Sequence, residues 1–267
     1  MKLFTTLSIA AIMILAYSSC EKVIDIKLRD ADQKYVIEGN ITNEPGQCSV
    51  SITQTKAFSE DNNFPGVSGA TVTVSDNGGT AIPLVETGQG IYTTSIINGA
   101  PGHTYTLKIL VNGKTFGSVS TLPLPVNLDS IFIEDRILFG DSTKIVNITY
   151  KDPAAVGDAY RFLQYRNNVQ EKTVFVNNDD FTNGNAVTTQ LLVFGNDDDD
   201  KKIKAGDSIK VTMQCLDTPV YKYWFSIDAA TGESNNATPA NPVTNITGGA
   251  LGYFSAHTTQ SKTVRVP

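Results

Sequence analysis

Few residues in this chain carry reactive chemistry. There are two histidines, His103 and His257, and neither has a metal-ligand or triad companion close in sequence. His103 follows the turn Pro101-Gly102 and His257 ends a strand pattern, so both are expected to face solvent. No Gly-x-Ser-x-Gly elbow, His-Glu-x-x-His helix or phosphate-cradling loop occurs. A hydrolase is therefore disfavoured, and no catalytic residue, metal or cofactor is expected. Two acidic stretches remain. Asp197-Asp198-Asp199-Asp200 meets Lys201-Lys202 in a pattern that fits a solvated hairpin tip, because four adjacent carboxylates repel one another. In Asn178-Asp179-Asp180-Phe181-Thr182-Asn183-Gly184, taking Gly184 as the sixth position of a calcium loop puts Phe181 third, where an oxygen ligand is needed.

The cysteines divide by context. Cys20 follows Lys2, the apolar run Leu7 to Ala16 and the small residues Ser18-Ser19. Basic start, apolar middle and small-residue exit make a secretory signal, and the run is shorter than the roughly 20 apolar residues that span a bilayer. A cysteine at that exit looks like a bacterial lipoprotein signal, with residues 1–19 removed and Cys20 lipidated at the mature N-terminus. Tyr17 stands where the usual pattern has Leu, so the alternative is a cut near Ser18 that leaves Cys20 as a plain thiol. Cys48 shares a strand face with Val50 and Ile52, and Cys215 with Ile209, Val211 and Met213. Both read as core thiols in different domains, which argues against a disulfide although an exported chain meets an oxidising space.

The positioning elements are almost all strands. The 267 residues are 40% hydrophobic and 9% aromatic, enough for packed cores. With 21 basic against 27 acidic residues and scattered basic positions, the chain has no electrostatic footprint for nucleic acid and no polybasic patch for a membrane. Residues 20–33 read as a tether. Strand patterns then run from Tyr35 to Ser120, punctuated by turns that include Asn112-Gly113, a strong hairpin signal. Thr121-Leu122-Pro123-Leu124-Pro125 is an extended connector. A second strand series follows, from Ser130 to Cys215. Thr218 as cap and Pro219 at the first helical position open a helix over 218–229, with Val220, Tyr223, Trp224 and Ile227 on one face and Tyr221 and Phe225 on another. The first stripe is expected to be buried. Tyr221 and Phe225 either close the helix against a loop or form part of a partner-binding surface. Residues 230–249 read as a long loop, before strands at Ala250 to Ala256 and Lys262 to Val266. The expected fold is all-β, with two immunoglobulin-like or transthyretin-like β-sandwich domains in tandem over 34–122 and 126–267 and one short helix in the second.

The C-terminal part carries a resemblance. Asn241-Pro242 followed by Asn245-Ile246-Thr247-Gly248-Gly249-Ala250-Leu251-Gly252-Tyr253-Phe254 resembles the hallmark of a Bacteroidota outer-membrane lipoprotein family, the domain of unknown function 4249. Cys20-Glu21-Lys22-Val23-Ile24-Asp25, Val36 to Asn43, Pro65 to Val72 and Tyr221-Lys222-Tyr223-Trp224 share in it. The resemblance implies a lipid-anchored outer-membrane protein, on the periplasmic face or the cell surface, encoded beside TonB-dependent receptors and accessory to one in nutrient capture. It implies no catalytic residues and leaves the ligand unknown. A structural or adhesive surface lipoprotein without a soluble ligand is the alternative. The pairs Asp129-Ser130, Asp141-Ser142 and Asp207-Ser208 also resemble the short O-glycosylation signal of exported Bacteroidota proteins, and equally make ordinary turns before strands.

The N-terminal expectation is tested by mass spectrometry of the mature protein. An acylated Cys20 as first residue is the expected result, and an unacylated start at Ser19 or Cys20 rejects it.

Overall fold

Alternation of apolar and polar residues sets the strand faces. In β1 (Tyr35–Thr42), Tyr35, Ile37 and Ile41 point inward while Val36, Glu38 and Asn40 point the other way. β1 pairs antiparallel with β2 (Cys48–Gln54), which pairs with β6 (Ile91–Thr94), and β6 with β5 (Val85–Gly88). A second sheet has the order β4-β3-β7-β8, from β3 (Thr71–Asp76), β4 (Ile82–Pro83), β7 (Thr104–Val111) and β8 (Lys114–Thr121). Asn112 and Gly113 both adopt positive φ, 48° and 73°, and so close the two-residue hairpin between β7 and β8. Between these sheets Ile37, Val50, Ile52, Val72, Leu107, Ile109 and Phe116 are buried. Each such side chain contributes roughly 1.5–3 kcal/mol relative to exposure.

The computed structural model describes residues 32–46, 48–57, 60–61, 63–138, 140–193, 202–231 and 241–267. The signal, Cys20, nearly all of the tether and the Asp197–Asp200 run lie outside the described residues. The described residues within 33–56 and 61–267 make one compact body. Ala57 and Glu60 lie outside that body, and the Glu60 amide donates to the Ala57 carbonyl at 3.1 Å. No helix among the described residues is long and apolar enough to cross a membrane.

The second sandwich is built from a three-stranded sheet, order β14-β10-β9, over the other end of the long sheet. Its strands are β9 (Leu128–Leu138), β10 (Asp141–Lys151) and β14 (Ala186–Leu191). Opposite lie β11 (Ala159–Arg166), β12 (Val169–Gln170), β13 (Phe175–Asn178) and β15 (Ser208–Leu216). Val146, Ile148, Tyr150, Tyr160, Phe162, Val211 and Met213 fill the core. Helix α1 (Thr218–Thr231) and the final strand β16 (Leu251–Arg265) complete the chain.

The expected division into 34–122 and 126–267 is revised by β16. This strand is single where two were expected, and it belongs to both sandwiches. Its first half pairs in parallel with β1, from Val36↔Leu251 to Thr42↔His257, and its second half pairs antiparallel with β15, from Ser208↔Arg265 to Cys215↔Thr258. Both ladders therefore merge in a nine-stranded sheet, order β12-β11-β15-β16-β1-β2-β6-β5 with β13 also on β11. Ile246, Ala250, Phe254 and Ala256 sit in the first core, not the second.

The described part of the expected 230–249 loop is also bonded rather than free. Thr247 pairs with Gly117 on the β8 edge (N to O 2.7 Å), and the Ser118 hydroxyl donates to the Asn245 carbonyl (2.8 Å). Asn245 brackets Phe254, its Nδ2 donating to the Phe254 carbonyl (2.8 Å) and its Oδ1 accepting the Phe254 amide (3.0 Å). Gly252 has φ +97°, and a Cβ there would lie 2.0 Å from the Ile37 carbonyl oxygen. Only glycine lets β16 lie against β1 at that point.

Cys48 and Cys215 are free and buried in separate cores, as their strand faces implied. Burial pushes the Cys48 thiol up to about 12, which leaves it unreactive at neutral pH.

Gly252→Ala should cost at least ~3 kcal/mol through strain and overlap, and Asn245→Ala about 1–3 kcal/mol through two unpaired backbone groups. Urea melts of the two variants check this. Losses below ~1 kcal/mol for both would mean that the seam does not hold β16 in place.

Candidate functional site

Helix α1 lies on the outer face of the long sheet, beside β11, β13 and β16. Its N-cap is Asp217 rather than the expected Thr218. Asp217 Oδ1 accepts the Val220 amide (3.2 Å), and its backbone carbonyl accepts the Tyr221 amide (3.0 Å). Asp217 Oδ2 accepts the Ser120 hydroxyl (2.8 Å) and the Thr121 amide (2.9 Å), so one carboxylate ties the helix start to the end of β8. Burial raises its pKa, opposed by those hydrogen bonds from Ser120, Thr121 and Val220. Val220 and Tyr223 are buried as expected, with Trp224 and Ile227 half-buried. The helix runs to Thr231, two residues past the expected end. Its Ser226 hydroxyl donates to the Tyr223 carbonyl (2.7 Å) and accepts the Val243 amide (2.8 Å), so the chain returning from residue 241 touches it.

Beneath the helix runs a polar line that the sequence did not announce. Arg161 on β11 stacks on Trp224, 3.3 Å from its ring centre, and Trp224 meets Tyr253 of β16 at 5.1 Å. Arg161 Nη1 donates to Gln214 Oε1 (3.4 Å). Gln214 Nε2 lies 2.8 Å from His257 Nε2, and His257 Nδ1 lies 2.9 Å from Ser255 Oγ. One polarity satisfies all three links. The guanidinium donates to the amide oxygen, the amide nitrogen donates to Nε2, and Nδ1–H donates to the serine. His257 is therefore a neutral Nδ1–H tautomer. It is 4% exposed, which corrects the solvent-facing expectation, because the strand does not end at Ala256. Burial, and then the charge of Arg161, lower its pKa to about 4. The Ser255–His257 pair has the wrong polarity for nucleophilic catalysis, since the imidazole gives its proton to the hydroxyl instead of taking one. Burial pushes the Arg161 guanidinium down to about 10, so it stays cationic at neutral pH. Its Nε is buried without a hydrogen-bond partner.

The other flank of α1 is open. Tyr221 is half-buried and Phe225 half-exposed, with ring centres 5.7 Å apart. Phe181, 95% exposed, lines the same hollow as Tyr221. The turn that carries it is the acidic stretch considered for calcium. There the Asp179 carboxylate accepts the Gly157 amide (2.6 Å) and the Asp158 amide (2.9 Å), while the Thr182 hydroxyl donates to Asp152 (2.8 Å). Tyr160 also donates to Asp152. Asp179 and Asp152 are thus spent on fixing the turn, and no cluster able to hold a metal ion occurs among the described residues. Asp158 is held above the usual carboxylate range by burial, then by Asp152 and Asp179.

The remaining sequence candidates are dispersed. His103 sits in the turn before β7, half-exposed, with Nδ1 2.8 Å from Asp76. Ser142 and Ser208 are exposed beside strand starts, whereas the Ser130 hydroxyl bonds Thr149 (2.6 Å). A signal for the buried line was present in Met213-Gln214-Cys215-Leu216, where successive residues are all buried. A strand buried on both faces must be covered on both.

Comparison with known proteins places the frame. The family model for the domain of unknown function DUF4249 matches residues 21–263. The chain belongs to this family. No curated protein matches it. Among solved structures, the chicken interferon gamma receptor alpha chain is 10% identical, with a TM-score of 0.26 over 88% of this chain and 98% of that one. A cytokine receptor complex is also 10% identical, with a TM-score of 0.27 over 86% and 95%. Scores this low support no inference about ligand or partner.

His257 makes stability depend on pH. The unfolded histidine takes up its proton near pH 6.5 and the folded one only near 4, so below pH 6.5 the unfolded chain binds more protons. The contribution is complete above pH 6.5 and is lost as pH falls toward 4, to a total of about 3 kcal/mol. Urea melts between those limits should show this slope in the wild type. His257→Gln should flatten it, and equal slopes in both proteins would contradict the neutral-histidine assignment.

Proposed function

We propose that this protein is a lipid-anchored outer-membrane binding protein of a Bacteroidota envelope that assists a TonB-dependent receptor in nutrient capture. Attachment runs through the acylated Cys20. Binding, rather than catalysis, is the task of the folded part. The observation that carries this reading is the aromatic group Phe181, Tyr221 and Phe225 on the open flank of α1. An almost fully exposed phenylalanine on a turn fixed by two buried carboxylates does nothing for the core, and exposed aromatics beside polar groups are enriched where proteins bind. The signal pattern ending at Cys20 and the resemblance that begins there favour an envelope location, and the acidic balance of 21 basic against 27 acidic residues leaves nucleic acid an unsuitable partner.

Affinity capture through a tagged copy in its native envelope, solubilised in detergent, is expected to retrieve a TonB-dependent receptor. Phe225→Ala should cut the yield severalfold with little change in stability, because half of that ring is already in water. Loss of the gene should lower uptake of the receptor's nutrient. No captured receptor together with unchanged uptake rejects the accessory role in favour of the structural or adhesive one.

A further inference from the structure

The open flank of α1 contains a cavity of about 220 Å³ between β13, the 178–184 turn and the start of the helix. That is smaller than the roughly 300–1,000 Å³ of pockets for drug-sized ligands, and suits a single ring. Three kinds of group line it. Tyr150 reaches it from the core: the residue is 1% exposed, and its hydroxyl makes no hydrogen bond. The nearest polar groups, Asn177 and Thr189, are joined to one another (Nδ2 to Oγ1 3.0 Å) and come close enough to the hydroxyl to oppose the rise in its pKa that burial causes, yet neither completes a well-formed hydrogen bond to it. A buried hydroxyl without a well-formed bond is rare, and the cavity beside Tyr150 gives an outside group room to complete its bonding.

The walls supply the second kind. Phe181 and Tyr221 offer aromatic faces, and Phe181 is held outward by a turn whose amides and hydroxyl are bonded to Asp179 and Asp152. The site is thus preformed, and a ligand meets little ordering cost there. Polar side chains are the third kind. Asn178 spends one amide hydrogen on Asp180 (2.6 Å) and keeps a second hydrogen and its carbonyl oxygen, while the Thr182 oxygen, donating to Asp152, still accepts.

Charge narrows the ligand class. Burial, then Asp180 and Asp228, raise the Tyr221 pKa, which places negative potential at the rim and disfavours anions. A cation would use the rings and the acids but not the convergent hydroxyl and amide groups. A neutral ring with an apolar C–H face and several hydroxyls uses all of them.

We propose that this cavity is a carbohydrate subsite for one neutral pyranose unit, which stacks its C–H face on Phe181 or Tyr221 and bonds its hydroxyls to Tyr150, Asn178 and Thr182. The assignment rests on the reading of the α1 flank as a binding surface and names the ligand class it takes.

The test is solution NMR on the whole mature protein in detergent, titrated with the methyl glycosides of glucose, galactose, mannose and N-acetylglucosamine, and with tetramethylammonium. At least one glycoside should shift the amides of residues 177–182 and 221. Phe181→Ala should weaken that glycoside at least tenfold, and Tyr150→Phe severalfold, with both spectra otherwise retaining the wild-type dispersion. Phe181→Ala touches an exposed ring, so it leaves folding intact and keeps the test decisive if Tyr150→Phe does not fold. No shift with any glycoside, shifts with tetramethylammonium alone, or glycoside affinity unchanged in Phe181→Ala would each overturn the proposal. Failed titration with receptor capture intact rejects the sugar alone, whereas failed capture with a working titration rejects the receptor role alone.

Discussion

The structure depends on one strand being bonded on both edges to different partners. β16 lies parallel to β1 along residues 251–257 and antiparallel to β15 along residues 258–265. Strand edges expose unpaired amides and carbonyls, and two separate sandwiches would leave β1 and β15 as edges. Sharing β16 removes both at once and makes the two cores mechanically one. A consequence is that the C-terminal residues must be in place before either sandwich is complete. β1 meets β2 within a hairpin, Tyr35 against Gln54, but meets β16 across most of the chain, Val36 against Leu251, so the closing step is the least local one in the fold.

That constraint explains what could be read from the sequence. Hairpins and alternating strands follow from nearest neighbours, and Asn112-Gly113 or the face shared by Cys48, Val50 and Ile52 revealed them directly. The Asn167-Asn168 turn, with φ of 50° and 67°, works in the same way but lacks a glycine to draw the eye. The last strand was less legible. Its middle, His257 to Ser261, is polar, and polar residues there suggest a break. In the structure those residues are where β16 passes from β1 to β15, and their bonding partners come from elsewhere in the chain: Gln214 for His257, Asn43 Oδ1 for the Thr259 amide (2.7 Å), and Leu128 and Val126 for Gln260. A polar segment can continue a strand when distant residues satisfy it, and such partners leave no local pattern.

The same reasoning covers the helix. Its buried stripe was readable from spacing, but the cap was not, because Thr218 and Asp217 are both acceptable N-caps and only the position of Ser120 decides between them. The Arg161–Gln214–His257–Ser255 line was invisible for a different reason. Arg161 and Gln214 each sit singly on a strand and Ser255 and His257 share β16, and strand pairing alone brings the three strands' residues together beneath α1. A half-buried arginine with no bonded carboxylate among the described residues, stacked on Trp224 and donating to the amide that bonds a neutral histidine, spreads its charge over dipoles rather than neutralising it. This holds the helix at one place on the sheet and fixes which of its flanks faces outward.

The division of labour along the chain then has a physical basis. The residues most characteristic of the family resemblance, Asn245, Thr247, Gly248 and Gly252, are consumed by the frame: Asn245 by Phe254, Thr247 by Gly117, and the glycines by close backbone approach to Thr115 and Ile37. Side chains used in this way have no capacity left for a ligand, so the resemblance identifies a scaffold and not a specificity. The groups with unspent capacity lie elsewhere. The Tyr150 hydroxyl, the second Asn178 amide hydrogen and the Phe181 and Tyr221 ring faces all gather on the outer flank of α1. The frame thus leaves an aromatic and polar group with bonding capacity beside one small cavity, and that combination decides what the cavity can hold.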